Sequence, residues 1–225
     1  MGRVEIEFVG LPGCGKSTVV KDVVVRFGAT YKKVGSDSQV YDKEDFKRYY
    51  YLILALLRPQ NWGFNIRVWV ILRSSLKKTG GIGWIRKYFK LIKYNSKIKK
   101  IEKEYGIVIV SEGYIQIFLS IYDYVELDRV AASEFVKIIE ENCMFVFQDV
   151  DVETASRRIV RRKHAGDDWR LMSDSDRRSV LENRLRNNDY MRHIVNKRQC
   201  VCIDGTIDIK NNTDNLMKWI YNDRG

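Results

Sequence analysis

With 225 residues, 45% of them hydrophobic and 31% charged, the chain can bury one substantial core, and that balance excludes a wholly disordered polypeptide. Two prolines exclude collagen-like or proline-rich character, and the longest apolar run, the nine residues Tyr49 to Leu57, is well short of the roughly 18 that a membrane-spanning helix needs. The net charge of +11 is concentrated: residues 46–101 hold 14 basic groups and no acidic one, leaving 26 basic and 29 acidic groups elsewhere.

The first element expected is a strand, Val4 to Val9, and on this reading no secretory leader is expected. Directly after it comes Gly10-Leu11-Pro12-Gly13-Cys14-Gly15-Lys16-Ser17-Thr18, which fits G-x-x-x-x-G-K-[ST] at Gly10, Gly15, Lys16 and Ser17. This spacing wraps backbone N–H groups around a phosphate, and the glycines allow the close approach and the unusual dihedrals. A helix from Lys16 to Phe27, ended by Gly28, points its positive end at the same anion. In such a loop Lys16 reaches the β- and γ-phosphates of ATP and the Ser17 hydroxyl holds Mg²⁺. A strand followed by this loop and a helix is the context in which the signature is meaningful.

A second strand is expected at Thr30 to Val34, then three helices: Asp42 to Arg58, stopped by Pro59; Asn61 to Lys78, reaching a glycine loop at Gly80, Gly81 and Gly83; and Trp84 to Tyr105, ended by Gly106. Strands follow at Ile107 to Val110, Met144 to Phe147 and Cys200 to Ile203. Helices are expected at Asp128 to Glu141, Glu153 to Lys163, Asp174 to Asn196 and Asn212 to Tyr221. This alternation predicts a single α/β domain over residues 1–225, a P-loop three-layer fold with five parallel strands. Residues 42–105 form a basic helical insertion in it and 163–175 a lid. Cys14, Cys143, Cys200 and Cys202 lack zinc-like spacing and a disulfide pattern, three of them beside strands where cysteine packs as a small apolar residue. A reduced, cytoplasmic protein is expected. His164 and His193 are isolated and have no third ligand at metal spacing.

Three segments, Phe8 to Thr18, Asp149 to Arg162 and Cys202-Ile203-Asp204-Gly205-Thr206, resemble the thymidylate-kinase-like group of P-loop kinases, within the nucleoside and nucleoside monophosphate kinase superfamily. The resemblance covers the first 35 residues and roughly 107–221, and leaves out the basic middle. It implies transfer of the ATP γ-phosphoryl group to a nucleoside or nucleoside monophosphate. It also implies that Arg158 and Arg162, four apart and so on one helix face, neutralise the phosphoryl group in flight, with Gly205 beside the adenine ring. A solvated basic helix end is the other reading of those arginines.

Ser111-Glu112-Gly113-Tyr114 departs from the family, whose third strand ends in Asp or in Glu-Arg. Glu112 is a candidate to hold metal-bound water or to accept the proton of an attacking hydroxyl; an ordinary loop carboxylate is the alternative. Asp37, in Gly35-Ser36-Asp37-Ser38, stands where superfamily members contact the acceptor hydroxyl, and is equally a helix-capping run.

The aromatic, acid-free middle is expected to build the acceptor pocket, with bases for an anionic acceptor and aromatic faces for stacking. Its one-sign field repels polycationic acceptors such as aminoglycosides. Two other uses remain open. One is an anionic membrane surface, through Trp84 to Lys93, suited to a kinase of a sugar or lipid-linked polysaccharide precursor. The other is nucleic acid, which would make the chain a polynucleotide kinase or a non-enzymatic binding ATPase. The residues fix neither the acceptor nor the oligomeric state, a homodimer included.

Overall fold

The computed structural model describes residues 4–30, 34–36, 52–53, 55–79, 82–105, 107–139, 143–161 and 168–222. Five strands form one parallel sheet: β1 (Val4–Gly10), β2 (Val34–Ser36), β3 (Ile107–Val110), β4 (Cys143–Asp149) and β5 (Cys200–Asp204), in the order β2-β3-β1-β4-β5. β1 is central, pairing Val4 with Ile107 on one side and Glu5 with Cys143 on the other. The edge strand β2 has only three residues and starts four later than expected.

The helices are α1 (Lys16–Thr30), α2 (Pro59–Thr79), α3 (Ile82–Glu104), α4 (Tyr114–Leu119), α5 (Arg129–Ile139), α6 (Val152–Val160), α7 (Asp168–Leu171), α8 (Asp174–Ile194) and α9 (Ile209–Asn222). Alternation along each strand builds two cores. Ile6, Phe8, Ile109 and Val146 face α1 and α9, packing on Val23, Phe27, Leu216 and Ile220. Val9, Val108, Val110, Phe145 and Phe147 face the larger layer of α2 to α5 and α8. A third cluster, Leu11, Cys14, Ala155, Ile159 and Leu181, lies under the loop after β1.

Several boundaries differ from the sequence reading. Helix α1 runs through Gly28, whose Cβ position is open space, so nothing forces a stop there. Pro59 opens α2, because a first-turn residue needs no N–H partner. Gly83 lies inside α3. Helix α4 was not expected; six residues are too few for a periodic signal. The four cysteines are free, and Cys202 is exposed rather than packed. Most of the helix expected at Asp42 to Arg58, and lid residues 163–167, lie outside the described residues.

Candidate active site

Gly10 closes β1, and the loop 11–15 turns sharply into α1. Gly13 (φ +86°) and Gly15 (φ +102°) occupy the left-handed region, where any Cβ would be strained. Gly10 is required for a different reason: a Cβ there would lie 2.6 Å from the Gln148 carbonyl oxygen. Leu11 and Cys14 bury their side chains beneath the loop and contribute only backbone above it. The Lys16 ammonium donates to the carbonyls of Gly10 (2.8 Å) and Leu11 (2.9 Å), which hold it over the loop. Ser17 Oγ donates to Ser111 Oγ (3.4 Å), joining the start of α1 to the end of β3.

The loop has a cavity on either side. One, of about 390 Å³, is lined by Gly13, Gly15, Thr18, Gln148, Arg158 and the β5–α9 turn at Gly205 and Thr206. Gly205 is clamped here: its N–H donates to Asp149 O (2.7 Å), and a Cβ would meet Asp149 O at 2.8 Å and Cys14 O at 3.0 Å. Arg158 donates to the carbonyls of Cys14 (3.2 Å) and Gly205 (3.1 Å), binding loop and turn together. Its helix starts at an N-cap absent from the sequence reading, Asp151, which accepts from Thr154 N–H at 2.7 Å.

The other cavity, of about 320 Å³, is lined by Pro12, Lys16, Ser17, Lys87, Ser111, Glu112, Gln116, Asp123, Trp169 and Arg184. Burial pushes the Glu112 carboxyl up, but Lys90 (2.6 Å), Arg184 and Lys16 together hold it below the usual carboxylate range. It is therefore ionised at neutral pH and a weak base. Arg184 forms a two-pronged pair with Asp123 (Nη2 to Oδ2 2.8 Å) and lies 5.1 Å over the Trp169 ring. Burial pushes the Lys87 ammonium down, as does Lys90, against the pull of Asp123 and Glu112. Arg177, buried, donates to Ser156 Oγ (3.1 Å) and to the carbonyls of Trp169 (3.2 Å) and Met172 (3.4 Å), fixing α7 against α6 and α8.

The motif residues thus converge. Lys16, Ser17 and Glu112 share one cavity; Arg158 and Gly205 line the other, so the two candidate groups face different sides of the loop. Asp37 and Arg162 lie outside the described residues. Sequence reasoning missed Gln116 on α4, Asp123 in the loop after it, Trp169 on α7 and Arg184 on α8, which come from four separate segments and carry no local signature. It also missed Glu5 and Glu7. In an alternating strand they would be the solvent face, but both are fully buried.

Glu7 accepts from the N–H groups of Gly113 (3.2 Å), Ile115 (3.0 Å) and Gln116 (2.8 Å), filling the bare amino end of α4. Burial pushes its carboxyl up to about 7, less far than burial alone because those N–H groups favour the anion. Glu5 accepts from Tyr94 and lies well above the usual range through burial and Glu7. Gln116, so anchored, accepts from Gly10 N–H at 3.1 Å and braces the start of the loop. The arrangement also explains Gly113. A Cβ there would stand 2.7 Å from the Glu7 carboxyl, leaving no room for the arginine of the family pattern.

No family model matches the chain, and no curated protein matches it either. Solved structures match over nearly its full length. The shikimate kinase of Bacteroides thetaiotaomicron aligns at a TM-score of 0.56 with 14% identity, covering 97% of this chain and 98% of that one. The deoxyadenosine kinase of M. mycoides with bound dATP aligns at 0.54 and 13%, covering 97% and 100%. The shikimate kinase of Acinetobacter baumannii in complex with shikimate aligns at 0.52 and 14%, covering 98% and 94%. The fold is that of the P-loop kinases.

Proposed function

We propose that the chain is an ATP-dependent phosphotransferase moving the γ-phosphoryl group to a small anionic acceptor of the nucleoside or nucleoside monophosphate class, as the thymidylate-kinase-like resemblance suggests. The observation that carries this is the pairing of a glycine-strained phosphate loop with a separate, cation-lined cavity beside its lysine. The donor's nucleoside lies along Arg158, Thr206 and Gly205, and its phosphates pass over the loop to Lys16. The acceptor sits between Lys16, Lys87 and Arg184, its reactive oxygen in line with the β–γ bridging bond. The bond from that oxygen to phosphorus forms as the bridging bond breaks and ADP leaves; a monophosphate oxygen attacks already ionised, whereas a nucleoside hydroxyl passes its proton to the transferred phosphoryl group. The fixed cations neutralise charge that grows on the transferring group.

The residues fit Mg²⁺ when it arrives with ATP. Among the described residues no three His, Cys, Asp or Glu cluster as a metal site, so the fit rests on the Ser17 hydroxyl and on the ionised Glu112, through water. Bound there, the ion supplies neutralisation of the β- and γ-phosphate oxygens. The depressed acidity range of Glu112 favours this role over that of general base. Arg158, fastened between loop and turn, would bear on donor affinity more than on the phosphoryl group.

All three alignments are to kinases of small molecules, which supports the class, and the deoxyadenosine kinase supports the nucleoside branch. A screen of nucleosides, nucleoside monophosphates, hydroxy acids and phosphosugars for acceptor-dependent ADP release tests the reading. Turnover on none of them, by protein that binds ATP, refutes it.

A further inference from the structure

We propose that α2 is a docking surface for an anionic lipid bilayer, an inference independent of the phosphotransfer reading. Helix α2 carries apolar groups on both sides. Its buried stripe, Asn61, Asn65, Val68 and Leu72 at i, i+4, i+7 and i+11, is flanked by Phe64 and Ile71, partly buried against the core. Its exposed stripe, Trp62 (51% exposed), Ile66 (61%), Trp69 and Val70, is wholly apolar at positions i, i+4, i+7 and i+8. Leu57 (69% exposed), in the helical turn at 55–57, extends the stripe at its amino end. At its inner edge Trp69 packs on the buried rings of Trp84 (5.1 Å) and Tyr88 (5.3 Å), which seat it against α3, and exposed Phe89 lies 5.5 Å from Tyr88. A contiguous apolar surface of this kind marks an interaction site.

Charge identifies the occupant. Arg67 and Arg73 are exposed beside the stripe, Arg58 is half-buried at its start, and residues 46–101 contain no carboxylate. A second copy docking stripe to stripe would bring arginines together with no acid from this segment to pair them. Nucleic acid offers phosphates, but nothing to receive Leu57, Ile66 and Val70. An anionic bilayer offers both a negative surface for the arginines and a hydrocarbon boundary for the aliphatic and indole groups. The site is not the Trp84 to Lys93 stretch that the sequence suggested, since Trp84, Leu91 and Ile92 are buried in the core. No helix among the described residues is long and apolar enough to cross a membrane, so the contact is peripheral.

The test is sedimentation of the full chain with phosphatidylcholine vesicles with and without phosphatidylserine, across a salt series. The expected result is retention only on the serine lipid, weakening as salt rises. Tryptophan emission should be quenched by brominated acyl chains, and Trp62→Phe should lose much of that quenching. Ile66→Asp should weaken retention at least roughly tenfold, and Arg73→Glu roughly fivefold or more, both with ATP affinity unchanged. Ile66 and Arg73 are exposed, and either variant alone suffices. Retention indifferent to lipid charge, retention without quenching, or a dimer broken by Ile66→Asp in protein that ignores vesicles would each overturn the proposal. So would an oligonucleotide that displaces the vesicles.

Discussion

The two ends of β1 solve opposite electrostatic problems within seven residues. At its carboxyl end the chain gathers backbone N–H groups, Lys16 and two left-handed glycines into a place that suits an anion. At its amino half it drives Glu5 and Glu7 into an apolar core that resists one. The two are joined by a short relay. Glu7 fixes the start of α4, α4 aims Gln116, and Gln116 holds Gly10 N–H at the root of the loop. A buried carboxylate three residues back along the strand therefore positions the phosphate cradle without touching it.

Cutting the functional end should have the largest effect. Lys16→Ala should lower kcat by on the order of 10³, the loss of one preorganised cation at a developing negative charge, while thermal unfolding stays near that of the parent. Steady-state ADP release and a melting curve on the same sample check both halves. Unimpaired turnover would remove Lys16 from the mechanism.

The amino half should be read by pH. Glu7 is raised in the folded state to about 7 from an ordinary 4.5. Below the ordinary value both states are protonated and the full stability is present. As pH rises the unfolded carboxyl ionises first, so stability falls until the folded group ionises near 7. The loss is about 3 kcal/mol at roughly 1.4 kcal/mol per unit. Denaturant titrations between pH 4 and 8 should show this decline, and Glu7→Gln should remove its share. A parent protein equally stable throughout would mean that Glu7 is not the interior group described.

Gly113→Ala attacks the relay itself. Its Cβ must displace the Glu7 carboxyl from 2.7 Å, an overpacking that should cost about 1–3 kcal/mol. Because Gln116 moves with α4, ATP affinity should fall with stability; loss of stability alone would disconnect the relay from the loop.

These contrasts track what could be read in the sequence. The loop was legible because its function depends on local spacing: Gly10 to Ser17 must be contiguous for the backbone to curl around a phosphate. β3 and β4 were legible because burial on both faces leaves continuous apolar runs such as Ile107 to Val110. Glu5 and Glu7 were opaque for the converse reason. Alternation in β1 imitates a half-exposed strand, and the partners that justify burial are remote: backbone N–H groups more than a hundred residues away for Glu7, and the Tyr94 hydroxyl for Glu5. Arg184, Asp123 and Trp169 were opaque likewise, their convergence being a property of packing. In α2 the exposed apolar face was hidden because the core face is apolar as well, with Asn61 and Asn65 standing among its buried positions.

Lys87 sharpens the comparison most finely, since it tests what the cationic end accepts. Half-buried and beside Arg184, it lines the acceptor cavity while Arg184 is already committed to Asp123. Its charge therefore serves the acceptor, whereas Lys90 is engaged with Glu112. Lys87→Met keeps the apolar stem and deletes the ammonium. For an anionic acceptor this should raise KM roughly tenfold, the worth of one charge-assisted contact, with kcat little changed because the anchor acts equally on ground and transition states. A neutral acceptor should show no change, and burial relief should leave the variant at least as stable. Should kcat fall instead and KM hold, Lys87 belongs with Lys16 at the transferring phosphoryl group, and the acceptor's anion must be held by Arg184 after Asp123 releases it.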